Sequence, residues 1–210
     1  TSGTTVACST ESSKIILVLK TVSYLTRDWT SRIGDNTSLN KVTTSIIFTK
    51  DSSKISGFSN SVSVGTNSQT STDAYTATTG VEDVRAYWGS DKSTIVVYSP
   101  GTIYAPEDSS YLFCPDTSNH ITLDNLLNLD LSNFDTSKVT NMQYMFLCGA
   151  LTSLDVSNFD TSNVTNMEGM FADCASLTTL DLSNFNTSKV ENMMLMFSLC
   201  QSLTNLEFGN

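Results

Sequence analysis

Three stretches of the chain repeat one another almost letter for letter: LDLSNFDTSKVTNMQYMF from residue 129, LDVSNFDTSNVTNMEGMF from 154 and LDLSNFNTSKVENMMLMF from 180. They start 25 and 26 residues apart, and a further start, LEF at 206, lies another 26 on. Periods of this size belong to stacked supersecondary units, each too small to bury its own apolar side. Chance does not produce three matches of such length.

Within one unit the apolar spacing changes. Leu151, Leu154, Val156 and Phe159 follow L-x-x-L-x-L-x-x, with polar residues at 153, 155 and 157, which predicts a short strand with one face inward. Val164, Met167, Met170, Phe171 and Cys174 then recur in steps of three and four, which predicts a short helix on the core. Asp160-Thr161-Ser162 between them is rich in residues that form Asx turns and helix N-caps, and Ser188 with Glu191 matches a capping box in the third unit. Strands of neighbouring units then pair in parallel at about 4.8 Å, giving a curved solenoid.

The phrase S-L-T-x-L-D-L-S-N-F-D-T-S-x-V-T-N-M-x-x-M-F resembles the leucine-rich repeats of BspA-like bacterial surface proteins. The resemblance runs over 107–210, counting a partial unit at Asp108–Cys114, with units starting near 126, 151 and 177 and a truncated one at 203. It implies a leucine-rich-repeat fold, secretion or wall attachment, and adhesion or ligand binding without catalytic residues. Pro115–Asp124 departs from the pattern and reads as a bulge from the first turn. Residues 1–100 carry none of the phrase.

Charge divides the chain at the same place. Residues 1–100 hold nine Lys/Arg and eight Asp/Glu, whereas 101–210 hold only Lys138 and Lys189 against thirteen acidic residues. All seven Met fall between 142 and 196. The step predicts a boundary near Pro100 to Pro115, with a β-rich domain over 1–105 and the repeats over 106–210. Ile15–Val22, Thr44–Thr49, Ser61–Val64, Val84–Trp88 and Thr94–Tyr98 are the β-branched and aromatic runs of the first half. Val84–Tyr98 reads as a hairpin closed by Gly89–Ser93, and Ser59–Gly80 as a long loop or weak edge strands. Such a domain would cap the N-terminal end of the repeats. The expected fold is therefore mixed: a β-rich domain followed by a leucine-rich-repeat solenoid of parallel strands and short helices. Residue 1 is Thr, so either a targeting segment has been removed or the sequence begins inside a longer protein, and the last strand, one strand into a new unit, suggests that the native protein continues.

Most catalytic chemistries lack their residues. His120 is the single His, no Cys pair has C-x-x-C spacing, and no G-x-S-x-G elbow or phosphate-cradling loop is present. No cofactor or metal is expected. No run approaches 18 apolar residues, which excludes a membrane-spanning helix, and the acidic half disfavours nucleic acid. Cys148, Cys174 and Cys200, with Cys114 beginning the series, hold one repeat position and read as small buried thiols rather than disulfides; Cys8 stands apart. The Met pairs 142/145, 167/170 and 193/196 read as core.

One strip remains for recognition. Asp130, Asp155, Asp181 and Glu207 each lie between two inward apolar residues, so their side chains face the concave side of the parallel sheet. With their flanks they give the candidate binding surface: Asn128, Asp130, Ser132, Ser153, Asp155, Ser157, Thr179, Asp181 and Ser183. Carboxylates about 5 Å apart in water repel by only about 0.8 kcal/mol, so no cation is required. Asp135, Asp160 and Asn186 form a second column, suited to turns rather than to Ca²⁺. The expected function is a non-enzymatic extracellular binding or adhesion module whose partner is a host or neighbouring-cell protein or glycan. The alternatives are a rigid spacer in a larger surface protein, and a hydrolase or carbohydrate-binding β-domain in which Trp29 and Trp88 stack on sugar.

Overall fold

The computed structural model describes residues 10–11, 14–15, 23–25, 43, 45–58, 60–63, 65–66, 84–88, 93–113 and 125–209. Cys8, Trp29, Cys114, His120, the 115–124 bulge, residues 89–92 of the Gly89–Ser93 closure and most of Ser59–Gly80 lie outside them. In chain order the strands are β1 (Thr10–Glu11), β2 (Lys14–Ile15), β3 (Ser23–Leu25), β4 (Ser45–Thr49), β5 (Asn60–Ser63), β6 (Gly65–Thr66), β7 (Arg85–Trp88), β8 (Thr94–Tyr98), β9 (Ile103–Tyr104), β10 (Asn128–Asp130), β11 (Phe134–Asp135), β12 (Thr179–Leu182) and β13 (Asn205–Phe208).

A five-stranded sheet runs β10-β4-β8-β7-β5, parallel across β10, β4 and β8 and antiparallel beyond. Its register sets Leu129 opposite Ile46 and Ile46 opposite Ile95. Ile46, Phe48, Ile95, Val96 and Val97 are all buried, as the apolar runs require. A second sheet runs β11-β9-β3-β6, with Phe134 opposite Ile103. Both sheets thus contain strands from each half of the chain. Phe48 packs on Phe113 and Phe134 with ring centroids 6.0 and 5.0 Å apart, and one apolar core continues from Ile46 to Met196.

Beyond these sheets successive units are hydrogen-bonded side by side. Met142, Tyr144 and Phe146 donate their N–H groups to the carbonyls of Asn166, Glu168 and Met170. Met167, Gly169, Phe171 and Asp173 donate in the same way to Asn192, Met194, Met196 and Ser198. Parallel bridges link Asp108, Asn141, Asn166 and Asn192, and β12 pairs in parallel with β13, Leu180 opposite Leu206. Inside this frame Phe113, Phe146, Phe171 and Phe197 stack at 5.3, 5.5 and 5.9 Å, their planes within 8° of parallel. Offset aromatic pairs of this kind add about 0.5–1.5 kcal/mol each beyond their buried area.

The partial unit is longer than the repeat phrase shows. Ile103 and Ala105 donate to Asn133 and Asp135, and Ser109, Tyr111 and Phe113 donate to Asn141, Gln143 and Met145. Residues 103–113 therefore supply two sides of a unit. β4, from far earlier in the chain, supplies the side that it lacks, next to Leu129.

The helix expected over Val164–Cys174 does not form; that segment is a string of turns and bridges. Val164, Met167, Met170, Phe171 and Cys174 do face the core. Their spacing instead arises from tight corners, where Val164, Met170 and Cys174 donate to residues three earlier, while alternate N–H groups cross to the next unit. Gly169 and Asp173 also take φ of +57° and +58°, which ends any right-handed run. Nor is Ser188–Glu191 a capping box: the Ser188 N–H goes to Asn186 Oδ1 and the Glu191 N–H to the Thr165 carbonyl.

Candidate functional site

The candidate strip lies along the first side of each unit. Leu129 and Leu131, Leu154 and Val156, and Leu180 and Leu182 are buried, so the residues between and beside them turn outward. Asn128, Ser132, Ser153, Asp155, Ser157, Thr179, Asp181 and Ser183 are exposed and Asp130 is half-buried. Register across the last pair sets Thr179 opposite Asn205 and Asp181 opposite Glu207.

Each aspartate of the strip is fixed by an Asx turn. Ser132, Ser157 and Ser183 donate their N–H groups to Oδ1 of Asp130, Asp155 and Asp181 at 3.0, 3.0 and 2.8 Å. The Ser157 hydroxyl and then its N–H hold the Asp155 carboxyl below the ordinary carboxylate range, although Asp181 nearby opposes this. Ser183 does the same for Asp181. Asp155 and Asp181 are therefore ionised at neutral pH, with their second oxygens turned outward. At the N-terminal end the strip meets the β-rich half, where Asn128 Nδ2 donates to Ser45 Oγ at 3.0 Å and Lys54 Nζ lies 3.8 Å from Asp130 Oδ2. That ion pair is exposed and worth at most about 1 kcal/mol.

The same turn recurs at the other two corners of the unit. Ser137, Ser162 and Ser188 donate to Asp135, Asp160 and Asn186, and Gln143, Glu168 and Met194 donate to Asn141, Asn166 and Asn192. Asn fills this role as well as Asp, because only the side-chain oxygen is used.

Two sets of residues escape sequence reasoning. Asn158 Nδ2 donates to the Leu131 and Phe134 carbonyls at 3.0 and 2.9 Å, and Asn184 Nδ2 reaches Val156, Ser157 and Phe159 in the same way. Buried Thr136 and Thr161 bridge to the next unit: each Oγ1 donates to a carbonyl and accepts from the N–H of the same residue, Asp160 or Asn186. Their only sequence signal is recurrence at one repeat position, which the strip shares. On another side Tyr111 and Tyr144 stack at 5.3 Å, and the Tyr144 ring covers Gly169, where a Cβ would fall 2.2 Å from Cε1.

Cys148, Cys174 and Cys200 form no disulfide with one another. Cys174 Sγ donates to the Phe146 carbonyl at 3.5 Å and Cys200 Sγ to Phe171 at 3.0 Å. Burial pushes the Cys174 thiol up to about 12. Met142, Met145, Met167, Met170 and Met196 are buried, but Met193 is exposed. Trp88 packs against the core. Among the described residues no three His, Cys, Asp or Glu converge on a point that could hold a metal, and no helix is long and apolar enough to cross a membrane.

Residues 116–208 match a family model described as a Mycoplasma protein of unknown function, DUF285. The match spans the repeats, just under half of the chain. Neither the curated proteins nor the solved structures contain a match to the chain.

Proposed function

We propose that the chain is a non-enzymatic binding module of a bacterial surface protein, in which a leucine-rich-repeat-type solenoid is capped by the β-rich half. Its partner is a protein or glycan of a host or neighbouring cell, with basic or polyhydroxylated groups. The observation that supports this reading is the outward-facing strip of half-buried Asp130 and exposed Asp155 and Asp181 with their serines. Repeated Asx turns hold its carboxylates at fixed positions on one side of the stack. Rigid, regularly spaced acceptors lower the ordering cost of binding, which suits recognition by many weak polar contacts. The likeness of 116–208 to a Mycoplasma family and the BspA-like repeat phrase agree with a surface role.

The test is the triple variant Asp130→Asn, Asp155→Asn, Asp181→Asn, presented beside the parent to arrays of extracellular proteins and glycans. Asn keeps the turns, as Asn141, Asn166 and Asn192 do. Loss of a captured ligand by the variant at unchanged melting temperature supports the strip. Equal binding by both proteins removes it, and no binding by the parent favours a spacer.

A further inference from the structure

The outward strip does not end at β10. From Asp130 the pairing register carries its row into the β-rich half as Ile47 on β4, Val96 on β8 and Tyr87 on β7, one residue per strand. All three turn away from the core, because Ile46, Phe48, Ile95, Val97 and Ala86 beside them in their strands belong to it. Tyr98 stands on the same face, two residues after Val96, and its ring meets that of Tyr87 edge to face at 6.3 Å and 75°. Tyr87, Tyr98 and Ile47 are half-buried, and Val96 among them is 2 % exposed.

One face thus changes character along its length. Its β-rich end is a corner of two rings beside aliphatic side chains, and its other end is a row of carboxylates. Three strand spacings, about 14 Å, separate Tyr87 from Asp130 along the row. Two cations flank it, each held within the chain: Arg85 Nη2 donates to Ser61 Oγ at 3.1 Å, and Lys54 Nζ lies 3.8 Å from Asp130 Oδ2. Donors and acceptors therefore stand side by side next to apolar rings. Oδ1 of Asp130, Asp155 and Asp181 already accepts a serine N–H, so a guanidinium fork, which uses both oxygens, is poorly matched. A hydroxyl needs only one acceptor and accepts a bond in turn, and the C–H face of a sugar ring packs on an aromatic ring.

We infer that this face binds a neutral oligosaccharide laid across the strands, its apolar ring faces on Tyr87 and Tyr98 and its hydroxyls on Asp130 and Asp155. The inference rests on the strip being a recognition surface. It narrows the partner to a glycan and extends the site into the β-rich half, where the tyrosine pair selects sugar rings over basic peptide. The β-rich half then does more than cap the repeats: it supplies the apolar end of the site.

The experiment presents the 210-residue chain to an array of neutral oligosaccharides of glucose, galactose, mannose and N-acetylglucosamine. Beside it go Tyr87→Val, Tyr98→Val and the triple aspartate variant. Valine keeps the β-branched character that suits a strand. The parent should capture at least one oligosaccharide, and each variant should weaken that capture about 10-fold. In the parent, the ring resonances of Tyr87 and Tyr98 should shift as the captured oligosaccharide is added, a readout that needs no variant. Capture weakened by the aspartate changes while both rings stay unshifted overturns the inference and leaves the strip standing. Capture that no variant weakens overturns both. A parent that captures no neutral oligosaccharide overturns the inference, and capture of an extracellular protein through the aspartates then assigns the strip to a protein partner.

Discussion

Thr161→Val tests whether the stack is held by side chains that serve two units at once. Valine matches threonine in shape, so packing is kept and only the hydroxyl is lost. Thr161 is 1 % exposed, and its hydroxyl donates to the Asn186 carbonyl at 3.1 Å and accepts from the Asn186 N–H at 2.8 Å. Each bond contributes about 0.5–1.5 kcal/mol net, and each backbone group left dry and unpaired costs about 1–3 kcal/mol. The added methyl returns about 0.8 kcal/mol. The balance is a loss of about 2 kcal/mol, or about 4–8 °C in melting temperature for a chain of this size. Thr187 is the internal control: it holds the same repeat position but is exposed. Thr187→Val should stay within about 0.5 kcal/mol of the parent. Urea and thermal melts followed by circular dichroism would measure both. If Thr161→Val matches the parent, or if the two variants fall equally, the bridging argument is wrong.

Gly169→Ala should cost about 1–2 kcal/mol from its positive φ, and more from displacing the Tyr144 ring. In a Tyr144→Ala background the second part should vanish, and a double-mutant cycle showing no coupling would count against the packing described. Cys174, its thiol pushed up to about 12 by burial, should resist a thiol reagent in the folded protein, while half-buried Cys200 reacts sooner; equal rates would contradict the burial. Asp155, Asp160 and Asp181 have folded pKa values below the ordinary 3.8 because their serines bond the ionised form. Their contribution to stability is therefore complete above about pH 4 and is lost as pH falls from there through the folded values. Changing all three to Asn should flatten the acid limb of the stability–pH curve, and an unaltered limb would assign acid sensitivity elsewhere.

The apolar positions were legible in the sequence because they recur with the units. Leu129, Leu154 and Leu180 stand inward, and the strip between them stands outward. The helix was misread because inward residues three and four apart fit a helix and a chain of tight corners equally well. Only the backbone distinguishes them, through the φ of Gly169 and the crossing N–H groups. Corners set by Asp160 and Ser162 were recognisable from Asx chemistry, although they lead into extended backbone and not into a helix. Thr161 reads in the sequence as an ordinary turn residue, since a hydrogen bond to a residue 25 positions away leaves no mark on local composition. The role of β4 was hidden for the same reason: nothing in Ser45–Thr49 names Leu129 as its neighbour.

That borrowed strand gives the molecule a direction of assembly. Asn128 reaches back across 83 positions to Ser45, so the first full unit must wait for a surface made by the other half of the chain. During synthesis that surface emerges first, and each later unit then meets a finished edge only one period away. The strand Ser45–Thr49 is therefore the foundation on which the first full unit is laid.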